Sequence, residues 1–138
     1  MRRIAALLAL VVLSSCRNEI EQSTRPSAVE GTYALKTYGG HPLPVVVSSD
    51  ASGDWAIVSG ELVIGNDQSW SETVNYTVTK GSTVTPAQSG TSGSWVLLSD
   101  YAYMIFNDKV YNYQFTGTAA GRSVTLDMLN GNSLVFSQ

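Results

Sequence analysis

Residues 69–80 read Ser69-Trp70-Ser71-Glu72-Thr73-Val74-Asn75-Tyr76-Thr77-Val78-Thr79-Lys80. Every second residue changes character. Trp70, Glu72, Val74, Tyr76, Val78 and Lys80 fall on one side, and Ser69, Ser71, Thr73, Asn75, Thr77 and Thr79 on the other. A β-strand points successive side chains to opposite faces, so this pattern lays one face against a core and the other against water. The segment reads as a half-buried antiparallel strand, with the charges of Glu72 and Lys80 flanking an apolar centre. Both charges are expected at the rim.

The same alternation continues outward along the chain. Residues 109–117 set Tyr111, Tyr113 and Phe115 against Asn112, Gln114 and Thr116, and residues 123–129 set Val124, Leu126 and Met128 against Ser123, Thr125 and Asp127. Gly31 to Tyr38 is expected to be the first strand, with Tyr33 and Leu35 inward. Leu43 to Ser48 is a short segment that Pro44 confines to a sheet edge or a strand start. Residues 55–65 alternate with a break at Ser59-Gly60, the mark of a bulge. Residues 93–98, 101–106 and 133–137 complete the set. Turn signals separate them at Gly39-Gly40, Asp50 to Gly53, Gly65 to Asp67, Lys80 to Gly93, Asn107-Asp108, Ala120-Gly121 and Asn130 to Asn132. Asn130-Gly131 is the strongest hairpin signal, because both residues tolerate positive φ. About eight short strands on hairpin-length links predict an all-β, antiparallel up-and-down meander. Closing it into a small barrel removes the exposed edges.

The chain begins differently. Arg2 and Arg3 precede an unbroken apolar run from Ile4 to Leu13. That run is too short to cross a ~30 Å hydrocarbon core as a helix. A charged start, a short apolar middle and a small-residue end describe a secretory signal peptide. Its end, Leu13-Ser14-Ser15-Cys16, resembles the lipobox of bacterial lipoproteins. The resemblance implies cleavage between Ser15 and Cys16, a thioether-linked lipid on Cys16, and an acyl chain such as palmitate on its new amino group. Cys16 is the only cysteine in the sequence, so no intramolecular disulfide competes for it. Residues 17–29, polar and containing Pro26, read as a tether. The expected organisation is a signal peptide over 1–15, a lipidated cysteine and tether over 16–29, and one β-domain over 30–138. Arg17 follows the cysteine where an aspartate would signal retention in the inner membrane. The resemblance therefore implies the cell envelope, and the outer membrane in a Gram-negative host.

The domain carries a second resemblance. Glu30-Gly31-Thr32-Tyr33-Ala34-Leu35, then Tyr38-Gly39-Gly40-His41-Pro42-Leu43-Pro44, is similar to the opening of small lipocalin-like domains of bacterial lipoproteins. Ile57 to Ile64 matches a following strand of that pattern, and Gly131 to Phe136 its ending. Tyr33 stands where lipocalins carry a tryptophan. The likeness implies a lipocalin-like barrel.

Charge and chemistry narrow the function. Removing Arg2 and Arg3 makes the mature chain more acidic than the formal −3 of the whole sequence. Arg17, Arg25, Lys36, Lys80, Lys109 and Arg122 are scattered, whereas nucleic acid requires a clustered basic footprint. Membrane affinity must come from the lipid, since two acyl chains anchor stably and scattered charge does not. His41 is the only histidine and sits in a Gly-Gly-His-Pro turn. One histidine and a lipidated cysteine do not make a zinc site, and the loop acids Asp50, Asp54 and Asp67 lack the ligand density of a calcium loop. Glu61 and Glu72 are not spaced to meet. No enzyme, cofactor or metal is expected. Tyr33, Trp55, Trp70, Tyr76, Trp95 and Tyr113 fall on the expected inner faces. They either fill the barrel or line a cavity for a small apolar ligand. The sequence thus points to a non-enzymatic, lipid-anchored binding module. Its alternative is a structural or inhibitor-like protein-interaction domain with a filled core.

Overall fold

The computed structural model describes residues 29–98 and 103–138. The signal peptide, the Ser15–Cys16 cleavage point, the lipidated Cys16 and all of the tether except Val29 lie outside the described residues. So do Tyr101 and Ala102 of the strand expected over 101–106.

Ten strands follow in chain order: β1 (Gly31–Tyr38), β2 (His41–Pro42), β3 (Val45–Asp50), β4 (Gly53–Ile64), β5 (Ser69–Lys80), β6 (Thr83–Leu97), β7 (Tyr103–Asp108), β8 (Tyr113–Ala120), β9 (Ser123–Asp127) and β10 (Ser133–Ser137). From β4 to β10 each strand pairs antiparallel with the next, β10 pairs with β1, and β1 pairs with β4. The sheet is therefore a closed eight-stranded up-and-down barrel, with β2 and β3 as additions outside the closure. β3 forms an outer edge of the sheet, the place Pro44 allows. A register shift between Ile57 and Ser59 marks the expected bulge in β4. Gly39, Gly40 and Gly131 adopt positive φ in their turns.

The inner face of β5 is the one its alternation indicates: Trp70, Glu72 and Val74 are buried while Ser69 and Ser71 are exposed. The filled part of the interior lies at the end where β1 begins. Trp95, Phe106, Phe136, Leu62, Ile64, Met104, Leu126 and Val124 are fully buried. Neighbouring strands also approach closely, where glycines leave room. A Cβ on Gly117 would stand 2.6 Å from the Thr125 carbonyl oxygen and 3.0 Å from Phe106, and one on Gly93 would collide with the Asn107 carbonyl. The chain comes in at this filled end, where the Tyr33 hydroxyl donates a 2.8 Å hydrogen bond to the carbonyl of Val29.

Three sequence expectations are corrected. Lys80 to Gly93, read as a turn, is mostly strand: Thr83–Gly93 pairs residue by residue with Trp70–Lys80. Pro86 and the small polar residues disguised it. They are tolerated because β7 joins β6 only from Gly93 onward, so this stretch has a neighbour on one side alone. The outer parts of β4, β5 and β6, with β3 alongside, thus project beyond the barrel mouth as a sheet. Second, β8 starts at Tyr113, and Tyr111 sits in the β7–β8 loop with 62% of its surface exposed. Asn112 takes φ 56° there, a conformation that ends strand alternation. Third, Glu72 is not a rim charge; it is only 8% exposed.

Candidate functional site

The barrel mouth holds a cleft of about 260 Å³. Its floor and one wall come from β4 and β5, through Ile57, Glu72, Val74 and Tyr76. Ser89, Gly90 and Thr91 of β6 continue that wall. Opposite stand Tyr111 of the β7–β8 turn and Tyr113 at the start of β8, and Met128, Asn130 and Leu134 of the β9–β10 hairpin, with Tyr38 at the end of β1.

The rim is fastened by side chains that bond back to backbone. Asp108, 4% exposed, accepts hydrogen bonds at Oδ1 from the amides of Val110 (2.7 Å) and Tyr111 (2.9 Å), and at Oδ2 from the Thr91 hydroxyl (2.5 Å). One carboxylate thus fixes the β7–β8 turn and ties it to β6. The Tyr38 hydroxyl accepts from Asn132 Nδ2 at 3.0 Å and from Asn130 Nδ2 at 3.3 Å, which ties the β9–β10 hairpin to β1. An aromatic column climbs from the core to this rim. Phe115 stacks on Phe106 at 5.2 Å, Trp70 meets both edge-on, Tyr113 leans on Phe115 at 5.6 Å, and Tyr111 stands 6.5 Å from Tyr113. Offset and edge-on contacts of this kind hold rings in place beyond their simple burial.

Glu72 is the group this scaffold leaves unfinished. Its strand neighbours across the sheet are Leu62 and Thr91, and its Oε1 is buried without a hydrogen-bond partner. Burial, with the Asp108 carboxylate as a second cause, pushes its pKa up to about 7. Burial also raises the Tyr113 hydroxyl, helped by the charges of Asp108 and Glu72. Among the described residues, the cleft lining carries one acidic group, Glu72, and no lysine, arginine or histidine. Trp70 Nε1, on the same inner face, is likewise buried without a partner.

Of the six aromatics singled out from sequence, Tyr76 and Tyr113 line the cleft. Tyr33, Trp70 and Trp95 are buried in the packed core, and Trp95 donates to the Gly65 carbonyl at 3.2 Å. Trp55 is half-buried on the projecting sheet, edge-on to Tyr76 at 6.1 Å. Sequence reasoning did not single out Asp108, Tyr38 or Met128 as lining or rim-fixing groups. The only sequence signal for Glu72 is its place on the inward side of the alternation, where a charge ordinarily marks a rim.

Other acids have local duties. Asp50 accepts from the Ser52 amide and hydroxyl, and Asp67 from those of Ser69; these bonds hold both carboxyls below the usual range. Glu61 is exposed on the outer face, so the barrel wall separates it from Glu72. His41 is exposed in β2. Among the described residues, no three His, Cys, Asp or Glu side chains come together as a metal would need. No family model, curated protein or solved structure matches this chain.

Proposed function

We propose that this chain is a non-enzymatic lipoprotein of the cell envelope, held to its membrane through lipid on Cys16, whose barrel takes up a small, partly apolar ligand in the mouth cleft. The anchor rests on the likeness of Leu13 to Cys16 to a lipobox. The binding function rests on one observation above all: a buried carboxyl oxygen without a partner, Glu72 Oε1, in a cleft walled by tyrosines, apolar side chains and the uncharged polar groups of Ser89, Thr91 and Asn130. Buried polar atoms are almost always satisfied, and each exception calls for an explanation. A ligand that completes the site supplies one. The cleft's about 260 Å³ is just under the ~300–1,000 Å³ usual for ligand pockets. That size suits a compact molecule better than a long acyl chain.

The protein-interaction alternative draws on the projecting sheet, whose Val46 and Val84 are each 59% exposed. Native mass spectrometry of the chain purified from its own host, with thermal unfolding against a metabolite panel, separates the two readings. A true ligand at about 100 times its Kd adds ~2.7 kcal/mol of stability. No co-purifying small molecule and no thermal shift across the panel would favour the interaction module.

A further inference from the structure

We propose that the mouth cleft recognises the cationic head of a small organic amine, with Glu72 as counter-ion and the rings of Tyr111 and Tyr113 as walls. This rests on the small-ligand reading above and names the ligand's chemistry.

Three features carry it. The first is the direction of the unmet need. Asp108 already has three hydrogen-bond donors, so its charge is provided for, whereas the buried Oε1 of Glu72 has none. The second is the sign of the surroundings. Among the described residues, the polar groups around Glu72 are Asp108 from β7, whose charge acts on it, and, lining the same cleft, Thr91 and Ser89 from β6, Tyr76 of its own strand, Tyr111 from the opposite turn, Tyr113 at the start of β8, and Tyr38 and Asn130. None is basic. A fatty-acid carboxylate or a phosphate would meet two carboxyl groups and no cation. A neutral apolar ligand would seal Glu72 in without a partner, at a larger desolvation cost. A cation reverses both defects at once. The third is the aromatic column. Ring faces carry negative quadrupole charge, and a cation within about 6 Å of a ring centroid is attracted to it. Tyr111 and Tyr113, tilted 35° to one another at 6.5 Å, line the same cleft as the Glu72 carboxyl group.

Binding is then linked to the protonation of Glu72. The free cleft holds this carboxyl near half-protonation at neutral pH. An ammonium ion favours the carboxylate, so binding below pH 7 expels a proton and weakens as pH falls. A fixed-charge cation isolates this effect from the ligand's own titration.

The test is calorimetric titration of the full chain with 2-phenylethylammonium, 2-phenylethanol and 3-phenylpropionate at pH 7, followed by benzyltrimethylammonium from pH 5 to pH 8. The ammonium is expected to bind at least about tenfold tighter than the alcohol, with the propionate weakest. Affinity for benzyltrimethylammonium should climb with pH and level off above about 7, and Glu72→Gln should flatten that climb and remove the preference for cations. The wild-type pH profile decides the matter even where the variant folds poorly. Equal or tighter binding of the alcohol or the propionate, or a flat wild-type profile, overturns the cation proposal and leaves the small-ligand reading standing. Absence of binding by all four compounds at millimolar concentration likewise overturns the cation proposal, and the metabolite panel and native mass spectrometry then decide the small-ligand reading.

Discussion

Replacing Glu72 by glutamine should change how the stability of this barrel depends on pH. Glutamate in an unfolded chain titrates near 4.5, whereas in the folded barrel Glu72 titrates at about 7. The folded state therefore holds its proton more tightly. Below about 4.5 both states are protonated and the residue costs nothing through ionisation. Between these values the unfolded chain has released the proton while the barrel retains it, so stability falls as pH rises, at up to ~1.4 kcal/mol per pH unit. Above about 7 both are ionised and the loss is complete. The gap between the two values sets its size at about 3 kcal/mol. The residue is 8% exposed, so solvent screens little of it. Glutamine has nearly the same shape and does not titrate. Urea unfolding followed by tryptophan emission at pH 4.5, 6 and 8 should show wild type and variant within about 1 kcal/mol at the lowest pH. They should diverge in the variant's favour by about 3 kcal/mol at the highest, a Tm difference on the order of 10 °C. Asp50 and Asp67, whose carboxyls are held below the usual range, lose their contributions only at pH below this window. Stability curves of the two proteins that run parallel from pH 4.5 to 8 would refute the reasoning, as would a variant that is less stable at pH 8.

Two further outcomes follow from the same description. Gly93→Ala should destabilise the barrel by more than about 2 kcal/mol, because the Asn107 carbonyl occupies the space of its Cβ, while Gly90→Ala on the same strand, where the nearest atom is a carbonyl oxygen at 3.4 Å, should stay within about 0.5 kcal/mol; chemical denaturation of both variants checks the contrast. Cys16→Ser should block lipidation and hold the chain in its precursor form, and detergent-phase partitioning that puts wild type and variant alike in the aqueous phase would remove the anchor from the proposal.

The barrel was legible in the sequence because its walls alternate so cleanly. The period-two pattern of 69–80 set the inward face, Gly31 to Tyr38 was delimited as a strand with Tyr33 and Leu35 inside, and the small residues at Ser59-Gly60 and Pro44 marked a bulge and an edge. Alternation reports which face a residue takes. It does not report how high on the barrel the residue stands, and height separates core from cleft. Trp70 and Tyr76 share one face of β5, yet Trp70 packs edge-on against Phe106 and Phe115 while Tyr76 lines the mouth. The stagger of eight strands around the barrel sets those heights, and it is a property of long-range pairing. Composition misled at two places. Thr83 to Ser92 looks like a loop because an edge strand tolerates proline and glycine. Glu72 looked like a rim charge because a buried carboxyl is costly, and that cost makes it the most informative residue of the cleft.

The bond from Tyr33 to the Val29 carbonyl fixes where the polypeptide joins the barrel, at the end opposite the mouth. A molecule moored upstream of that point would have its tether leave from the filled base, so the mooring would not cover the cleft. Exchange would then run directly between site and aqueous compartment, with no passage through the lipid. Occupancy would follow the concentration of dissolved ligand rather than its partition into the membrane. Such a protein would act as a sampler or buffer of a water-soluble molecule near a surface, and a carrier that unloads into the bilayer would need its mouth at the other end.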